Sequence, residues 1–316
     1  MTQVAVTGAN GFVGCHVRAE LAARGLHVRG LVRSVGRIDG PSPVTGLVEV
    51  DYENASSLRF ALEGAAVVVH LVGHTHEQNA GYSVYERVNV GLTRCVTQAA
   101  ADVGAHRLIF LSSIKALGNG SDEPYSERTL PKPEDAYGRS KLEAEIEVRA
   151  LTGSLGTDHV ILRPPLVYGA GVKGNLRRLI AAVEHALPIP AARSTANARS
   201  LISARNLASA IGEAVEWEGR IADTYVLADV TLSTAELVGL IANVAGSRPH
   251  LVWIPKVLFR TFAGGVHRGP LADRLFGSLQ VDPSLFTTRF GWSPQQSVEE
   301  GLREAVESYR SSQEHS

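Results

Sequence analysis

Cysteine is nearly missing from this chain. Cys15 and Cys95 are the only two in 316 residues. One lies in a turn-to-helix stretch and one in a helical pattern, so they do not make a disulfide framework. No metal-ligand spacing includes either of them. An excess of charge is also missing. The formal net charge of −1 argues against a general nucleic-acid or membrane-surface binder. No stretch reaches the ~18 consecutive apolar residues that a bilayer span needs, and there is no internal repeat. The first strand is expected from Gln3 or Val4, which leaves no room for a signal peptide. The expectation is a cytoplasmic protein with neither a nucleic-acid nor a membrane partner.

What is present is length and apolar content. Hydrophobic residues make up 44% of the chain, enough for one large or two ordinary domains. The pattern is organised around Val4 to Gly14, Val-Ala-Val-Thr-Gly-Ala-Asn-Gly-Phe-Val-Gly. A short apolar run ends at Thr7, and glycines follow at Gly8, Gly11 and Gly14. A helical periodicity then runs through Val17, Leu21 and Ala22 to Gly25. This reads as strand, tight turn and helix. Gly8 suits a turn that needs φ > 0, Gly11 lets a pyrophosphate approach the backbone, and Gly14 lets the helix lie close on the sheet. The helix N-terminus supplies N–H groups and partial positive charge for phosphates. Gly8, Asn10, Gly11, Phe12, Val13 and Gly14 are therefore candidate cofactor-binding residues. The spacing is Gly-x-x-Gly-x-x-Gly rather than the Gly-x-Gly-x-x-Gly of the standard dinucleotide fingerprint.

Strands and helices alternate through the first half. Strands are expected over Leu26 to Arg33, Leu47 to Val50, Ala66 to Val72, Arg107 to Ser112 and His159 to Leu162. Helices are expected over Ser56 to Leu62, Tyr82 to Val103 and Tyr137 to Arg149. The β-branched run at Ala66 to Val72 suits a parallel sheet covered on both faces. The pattern predicts an α/β, Rossmann-type doubly wound sheet over residues 1–165. Residues 166–199 and 226–316 would form a smaller α/β substrate domain, with 200–225 returning to the first. In the second half, strands are expected at Arg199 to Ser203, Thr224 to Leu227 and Leu251 to Ile254. A helix is expected from Asn206, read as its cap.

The end of the second strand bears on the cofactor. NAD-dependent proteins place an acid there to bond the adenosine ribose. Here Val32 is followed by Arg33, whose guanidinium suits a 2′-phosphate. That favours NADP(H) over NAD(H), with a solvated loop arginine as the plainer alternative. His74 and His76 lie in a loop at a strand C-terminal end, where ligands bind in such sheets. Without a third ligand in view, a substrate contact or a plain loop outranks a metal.

Ser113, Tyr137 and Lys141 carry the chemistry. A tyrosine titrates near ~10 and is a poor acid-base group at neutral pH. A nearby ammonium lowers that pKa, and Lys141 is one helical turn from Tyr137. Ser113, at a strand end, can hold a substrate oxygen against the tyrosine. The set supports proton transfer at a carbinol oxygen coupled to hydride transfer.

On these residues the chain resembles the extended short-chain dehydrogenases/reductases of the nucleotide-sugar epimerase/dehydratase group. The resemblance runs over nearly the whole chain, through Gly8-x-x-Gly-x-x-Gly14, Ser113 and Tyr137-x-x-x-Lys141. It implies that Asp51 lies near the adenine and that Leu71, Val72 and Pro164 line the cofactor site. It also implies that Asn175, Arg199 and Arg274 hold a nucleotide diphosphate, with His74, His76 and Lys115 as further substrate contacts. A homodimer through the two long helices is implied too, supported by the apolar stripe Tyr85, Leu92 and Val96. The 4,6-dehydratases of the group place Asp-Glu after the catalytic residue, where this chain has Ile114 and Lys115, so dehydration is not expected. The stretches Ser112-Ser-Ile-Lys-Ala-Leu-Gly118 and Tyr137-Gly-Arg-Ser-Lys-Leu-Glu-Ala-Glu145 resemble the branch that reduces UDP-4-keto-6-deoxy-N-acetylhexosamines. An NAD-dependent C4 epimerase is the alternative, and a non-catalytic NADP-binding protein is the alternative of another class.

Overall fold

The computed structural model describes residues 3–35, 46–74, 81–120, 123–189, 197–252 and 277–314. Its main body is a seven-stranded parallel sheet. In chain order the strands are β1 (Gln3–Thr7), β2 (His27–Val32), β3 (Leu47–Glu49), β4 (Val67–His70), β5 (Arg107–Leu111), β6 (Asp158–Arg163) and, later in the chain, β9 (Ala222–Val226). Their spatial order is β3-β2-β1-β4-β5-β6-β9. The chain winds one way from β1 to β3 and the other way from β4 onward, so the strand order reverses between β1 and β4. In such sheets the crevice beyond that reversal is where ligands bind.

Alternate residues of each strand feed two cores. Val4, Val6, Val69, Ile109 and Leu162 meet the helix α1 (Phe12–Ala23) and the helix α7 (Ala204–Glu216). Ala5, Val68, Leu108, Phe110 and Ile161 meet α2 (Ala55–Leu62), α4 (Leu92–Asp102) and α5 (Ala136–Leu155). All four residues of β4 are buried, as an apolar run covered on both faces requires.

A second, three-stranded sheet pairs β7 (Leu166–Tyr168) parallel to β8 (Arg199–Ser203) and β10 (Val230–Leu232) antiparallel to it. It shares a core with α6 (Gly174–Glu184), α8 (Thr234–Ala245) and the last helix, α10 (Val298–Glu314). A short helix α9 (Ser284–Phe290) packs Phe286 edge-on against Tyr225 of β9.

Three expectations are corrected. The helix expected over Tyr82 to Val103 is a helical turn α3 (Tyr82–Tyr85), a π-helical segment (Glu86–Gly91) and then α4. The wider turn rotates Asn89 fully inward, a placement that 3.6-residue periodicity cannot show. The stripe Tyr85, Leu92 and Val96 is buried within this chain, Leu92 and Val96 in the core under α4 and α5, so it is not available to a partner. The helix expected from Asn206 begins at Ala204 and is capped by Ser203, whose Oγ accepts the Asn206 N–H at 3.0 Å. Among the described residues no helix is long and apolar enough to cross a membrane.

Candidate active site

The first turn is shaped for a close approach. Gly8 has φ +66°, and a Cβ there would lie 3.1 Å from the Val72 nitrogen, across the gap between β1 and β4. A Cβ on Gly14 would lie 2.2 Å from the Gly8 carbonyl oxygen, so only glycine lets α1 pack this near the turn. Gly11 donates back to the Gly8 carbonyl at 2.9 Å and forms the N-cap of α1, which has no side-chain cap. The first-turn N–H groups are left for an anion. Tyr52, which the sequence did not single out, braces the turn. Its hydroxyl donates to Leu31 O at 2.8 Å and accepts from the Gly8 N–H at 3.3 Å. Asn10 reaches the Ser34 carbonyl at 3.4 Å. Val13 packs on the core under α1, whereas Phe12 packs on the core of the smaller sheet.

An open cavity of about 500 Å³ lies at the ends of β2 and β3, lined by Arg33, Glu49, Asp51, Tyr52 and Arg87 among others. Arg33 and Asp51 thus share one cavity. Arg87, from the π-helical segment, is an addition that no motif announces. Glu49 takes the Val35 N–H at 2.7 Å. The glycine cradle, the uncapped helix and this cavity fit an adenine dinucleotide.

The C-terminal ends of β4, β5 and β6 hold the reactive groups. Ser113 follows β5, is buried, and caps a single 3₁₀ turn by accepting the Lys115 N–H at 3.2 Å. Tyr137 is in the first turn of α5, half-buried, and hydrogen-bonded to Ser113. Burial pushes its phenol up to about 12, and the Ser113 hydrogen bond works against that. Lys141 is buried one turn further on. Its Nζ donates to Leu111 O at 2.6 Å and lies 4.3 Å from the centre of the Phe110 ring. Burial pulls the Lys141 ammonium down to about 7, with the Glu145 carboxylate opposing. The expectation that Lys141 lowers the Tyr137 pKa is therefore corrected: its ammonium is given to a strand carbonyl, and the lowering contact comes from Ser113.

Two networks hold this set, and neither was visible in the sequence. Asn89 Oδ1 accepts the His74 N–H at 2.7 Å, while its Nδ2 donates to His74 O at 3.2 Å and to Ser140 Oγ at 2.9 Å. Ser140 Oγ in turn donates to Tyr137 O at 2.8 Å. One buried amide thus joins the β4 loop to the tyrosine turn. Glu145, fully buried, forks onto Arg163 Nε at 2.8 Å and Nη2 at 2.6 Å, and accepts from Ser112 Oγ at 2.6 Å. Burial pushes this carboxyl up, but Arg163, Ser112 and Arg149 together hold it below the ordinary glutamate value.

The remaining candidates divide. Leu71 and Val72 border Gly8, and their N–H groups share Thr7 Oγ1 at 3.1 and 3.4 Å. Pro164 is buried and its carbonyl accepts the Ile114 N–H at 2.9 Å. Lys115 gives its Nζ to Asp135 at 2.9 Å and to Asn119 at 2.5 Å. The His74 ring lies 5.3 Å from Tyr85. Asn175 is exposed in the first turn of α6, and Arg199 donates to Gly277 O at 2.9 Å. His76 and Arg274 lie outside the described residues. Among the described residues, no group of three His, Cys, Asp or Glu side chains could hold a metal.

A nicotinamide-dependent oxidoreductase or epimerase of the extended short-chain dehydrogenase type is the class that this fold and site define. The chain belongs to the NAD dependent epimerase/dehydratase family, whose profile matches residues 4–228. It is 32% identical to the UDP-glucose 4-epimerase of Vibrio cholerae, over 97% of this chain and 95% of that protein. MoeE5, solved with UDP-glucuronic acid and NAD, is similar at 25% identity and a TM-score of 0.79, over 98% of this chain and 99% of that one. The UDP-N-acetylglucosamine 4-epimerase from Bacillus cereus shares the fold at 22% identity and a TM-score of 0.80, over 98% and 100% of the two chains.

Proposed function

We propose that this protein reduces the C4 keto group of a UDP-linked 4-keto-6-deoxy sugar with NADPH. The observation that carries this reading is Arg33 on the cavity at the end of β2, directly after Val32, where NAD-specific relatives of this architecture carry an acid. Arg87 adds a second cation to the same cavity. Gly8, Gly11 and Gly14 would hold the pyrophosphate, Arg33 the 2′-phosphate and Asp51 the adenine. When bound, the nicotinamide supplies the hydride that C4 receives.

The chain's own residues handle the oxygen. Tyr137 donates its proton to O4 as the carbonyl becomes a carbinol. Ser113 shares that oxygen and stabilises the phenolate left behind. Lys141, one turn further along α5, gives its Nζ to the Leu111 carbonyl and so holds the tyrosine helix against the end of β5. Arg199 and Asn175 meet the substrate diphosphate, with residues 166–199 and 226–316 as the substrate-binding part. A UDP-linked substrate is supported by the ligand of MoeE5 and by the name of the Vibrio relative. A homodimer would have to use the outward faces of α4 and α5, where Arg94 pairs with Glu147 at 2.6 Å and Ile146 is exposed. Light scattering at micromolar concentration tests it.

The Vibrio relative's name favours a second reading, an NAD-dependent C4 epimerase. An epimerase oxidises and re-reduces C4 and keeps its cofactor, whereas a reductase releases it. Denaturing the purified protein and analysing the released nucleotide separates the two. Protein that carries no nucleotide and prefers NADPH supports the reductase; stoichiometric, tightly held NAD overturns it.

A further inference from the structure

Lys115 occupies the position where dehydratases of this group carry an acid, and the structure gives it other work. Its backbone N–H bonds Ser113 Oγ at 3.2 Å. Its carbonyl oxygen is so close to α5 that a Cβ on Gly138 would lie 2.4 Å away. Its Nζ lies 2.9 Å from Asp135 Oδ2 and 2.5 Å from Asn119 Oδ1. The other Asp135 oxygen caps α5 by accepting the Gly138 N–H at 2.7 Å. Tyr137 is held between those two residues. The segment bearing Ser113 is therefore latched to the helix bearing Tyr137 at two points of one residue, its carbonyl against Gly138 and its Nζ on Asp135.

We propose that Lys115 is a positioning residue, which fixes Ser113 against Tyr137 through the Asp135 latch and offsets the Asp135 charge beside the tyrosine. This rests on the acid-base reading of Tyr137. The groups acting on that phenol are Ser113 from the β5 side, Asp135 at the start of its own helix, and Tyr85, whose ring centre is 6.0 Å away, from α3; Lys115 acts through Asp135, and Lys141 is given to the Leu111 carbonyl. His74 stands behind Tyr85, and Glu134 bonds the Asn119 N–H at 3.3 Å. Of these, Asp135 and Tyr85 disfavour the phenolate. The Lys115 ammonium on Asp135 weakens the larger of the two effects. Both partners are about a quarter exposed, so the pair is shielded from bulk water without being dry.

The test is a cycle of Lys115→Met, Asp135→Asn and the double variant, with Lys115→Arg as the conservative change. Asparagine is as good a helix cap as aspartate, so Asp135→Asn removes charge and keeps the cap. In thermal unfolding each single variant should lower Tm, and the double should lower it no further than the worse single. Additive losses would overturn the latch. In the carbinol-oxidising direction, Lys115→Met should lower kcat/KM at neutral pH by about tenfold, the size of a one-unit rise in the tyrosine pKa. The pH of half-maximal activity should move up by about one unit. Lys115→Arg should keep the wild-type profile, and cofactor affinity should not change. The double variant should recover most of the loss, because the unbalanced carboxylate is gone. If the double is as impaired as Lys115→Met, with the pH profile unmoved, the charge-offset role is overturned. If wild-type protein turns over no UDP-sugar in either direction, the functional reading fails, while the Tm cycle still judges the latch.

Discussion

The amide nitrogen of Asn206 donates to Asp229 Oδ2 at 2.7 Å, deep between the two sheets. It also donates to Gln296 O at 2.9 Å, while Asn206 Oδ1 accepts the N–H groups of Gln295 and Gln296, each at 2.9 Å. Asp229 in turn accepts the Ser203 N–H at 2.6 Å. Every polar atom of this buried amide is used, and two of its bonds need a donor. An aspartate in this place would have no N–H to give. Asn206→Asp should therefore face two carboxylates toward each other and leave the Gln296 carbonyl without its donor. The expected loss is about 1–3 kcal/mol for the unmet bonds, with charge repulsion added. The two carboxylates can relieve the repulsion by sharing a proton. The stability loss should thus be smaller at pH 5 than at pH 8, measured by urea unfolding. A variant as stable as wild type at pH 8 would refute the account.

What the sequence showed and what it hid follow from range. The glycine turn, Ser113 after a strand and the Tyr137/Lys141 helical spacing are local patterns, and the fold keeps them where the spacing put them. Strand β4 was legible because a parallel strand buried on both faces reads as a near-continuous β-branched run, Val67 to Val69, with His70 satisfied by hydrogen bonds at its end. The braces were not legible. Tyr52 meets Gly8 from 44 positions away and Asn89 meets Ser140 from 51, and no spacing rule connects such pairs. Asn206 was misread as a cap because a polar residue at a helix start looks the same whether it faces the first turn or a carboxylate in another element. The stripe Tyr85, Leu92 and Val96 was real, but periodicity cannot say whether a covered face meets its own chain or another.

On the proposed reading, Arg33 is the residue that selects NADPH. It is exposed on the rim of a cavity that also contains Glu49, Asp51 and Glu53. A ribose 2′-phosphate would need a cation there against three carboxylates, whereas a ribose hydroxyl would not. Arg33→Ala should weaken NADPH by about tenfold or more, the scale of a charge-assisted hydrogen bond at ~1.5–3 kcal/mol, and leave NADH nearly unchanged. Calorimetric titration of both cofactors reads this directly, and equal weakening of the two would remove Arg33 from the 2′-phosphate.

Tyr137→Phe removes one oxygen that is hydrogen-bonded to Ser113. The ring keeps its edge-on packing with Tyr85, at 6.0 Å between centres. The fold and the cofactor affinity should survive, while kcat falls by about 10²–10⁴, the usual worth of a positioned general acid. Lys141→Ala should behave differently. It leaves the Leu111 carbonyl without its 2.6 Å donor and the Phe110 ring without its cation, so Tm should fall together with turnover. Near-full activity of Tyr137→Phe between pH 6 and 9 would withdraw the acid-base assignment.

His70 should make the fold acid-sensitive well above the carboxylate range. The ring is fully buried at the end of β4. Its Nδ1 is 2.8 Å from Thr7 Oγ1 and its Nε2 is 3.0 Å from Thr93 Oγ1. Thr93 donates its own proton to Asn89 O at 2.6 Å, so it can only accept from the ring. The hydrogen is therefore on Nε2, and Nδ1 accepts from Thr7. A second ring proton would break the Thr7 bond and bury a charge, and the Lys141 cation nearby also opposes it. Burial first and Lys141 second pull His70 down from 6.5 to about 3. The unfolded chain binds this proton below about pH 6.5 and the folded chain does not. The stability tied to neutral His70 is thus complete above pH 6.5 and is lost progressively as pH falls toward 3. Over the whole window the loss is at most about 5 kcal/mol, and about 2 kcal/mol of it falls between pH 6.5 and 5. His16 and His159, also lowered by burial, act in the same direction. Urea unfolding at pH 7, 6 and 5 should show falling stability in the wild type and a shallower fall in His70→Asn, which starts lower but has one proton fewer to take up. Parallel pH dependences for the two proteins would show that His70 is not a source of the acid sensitivity.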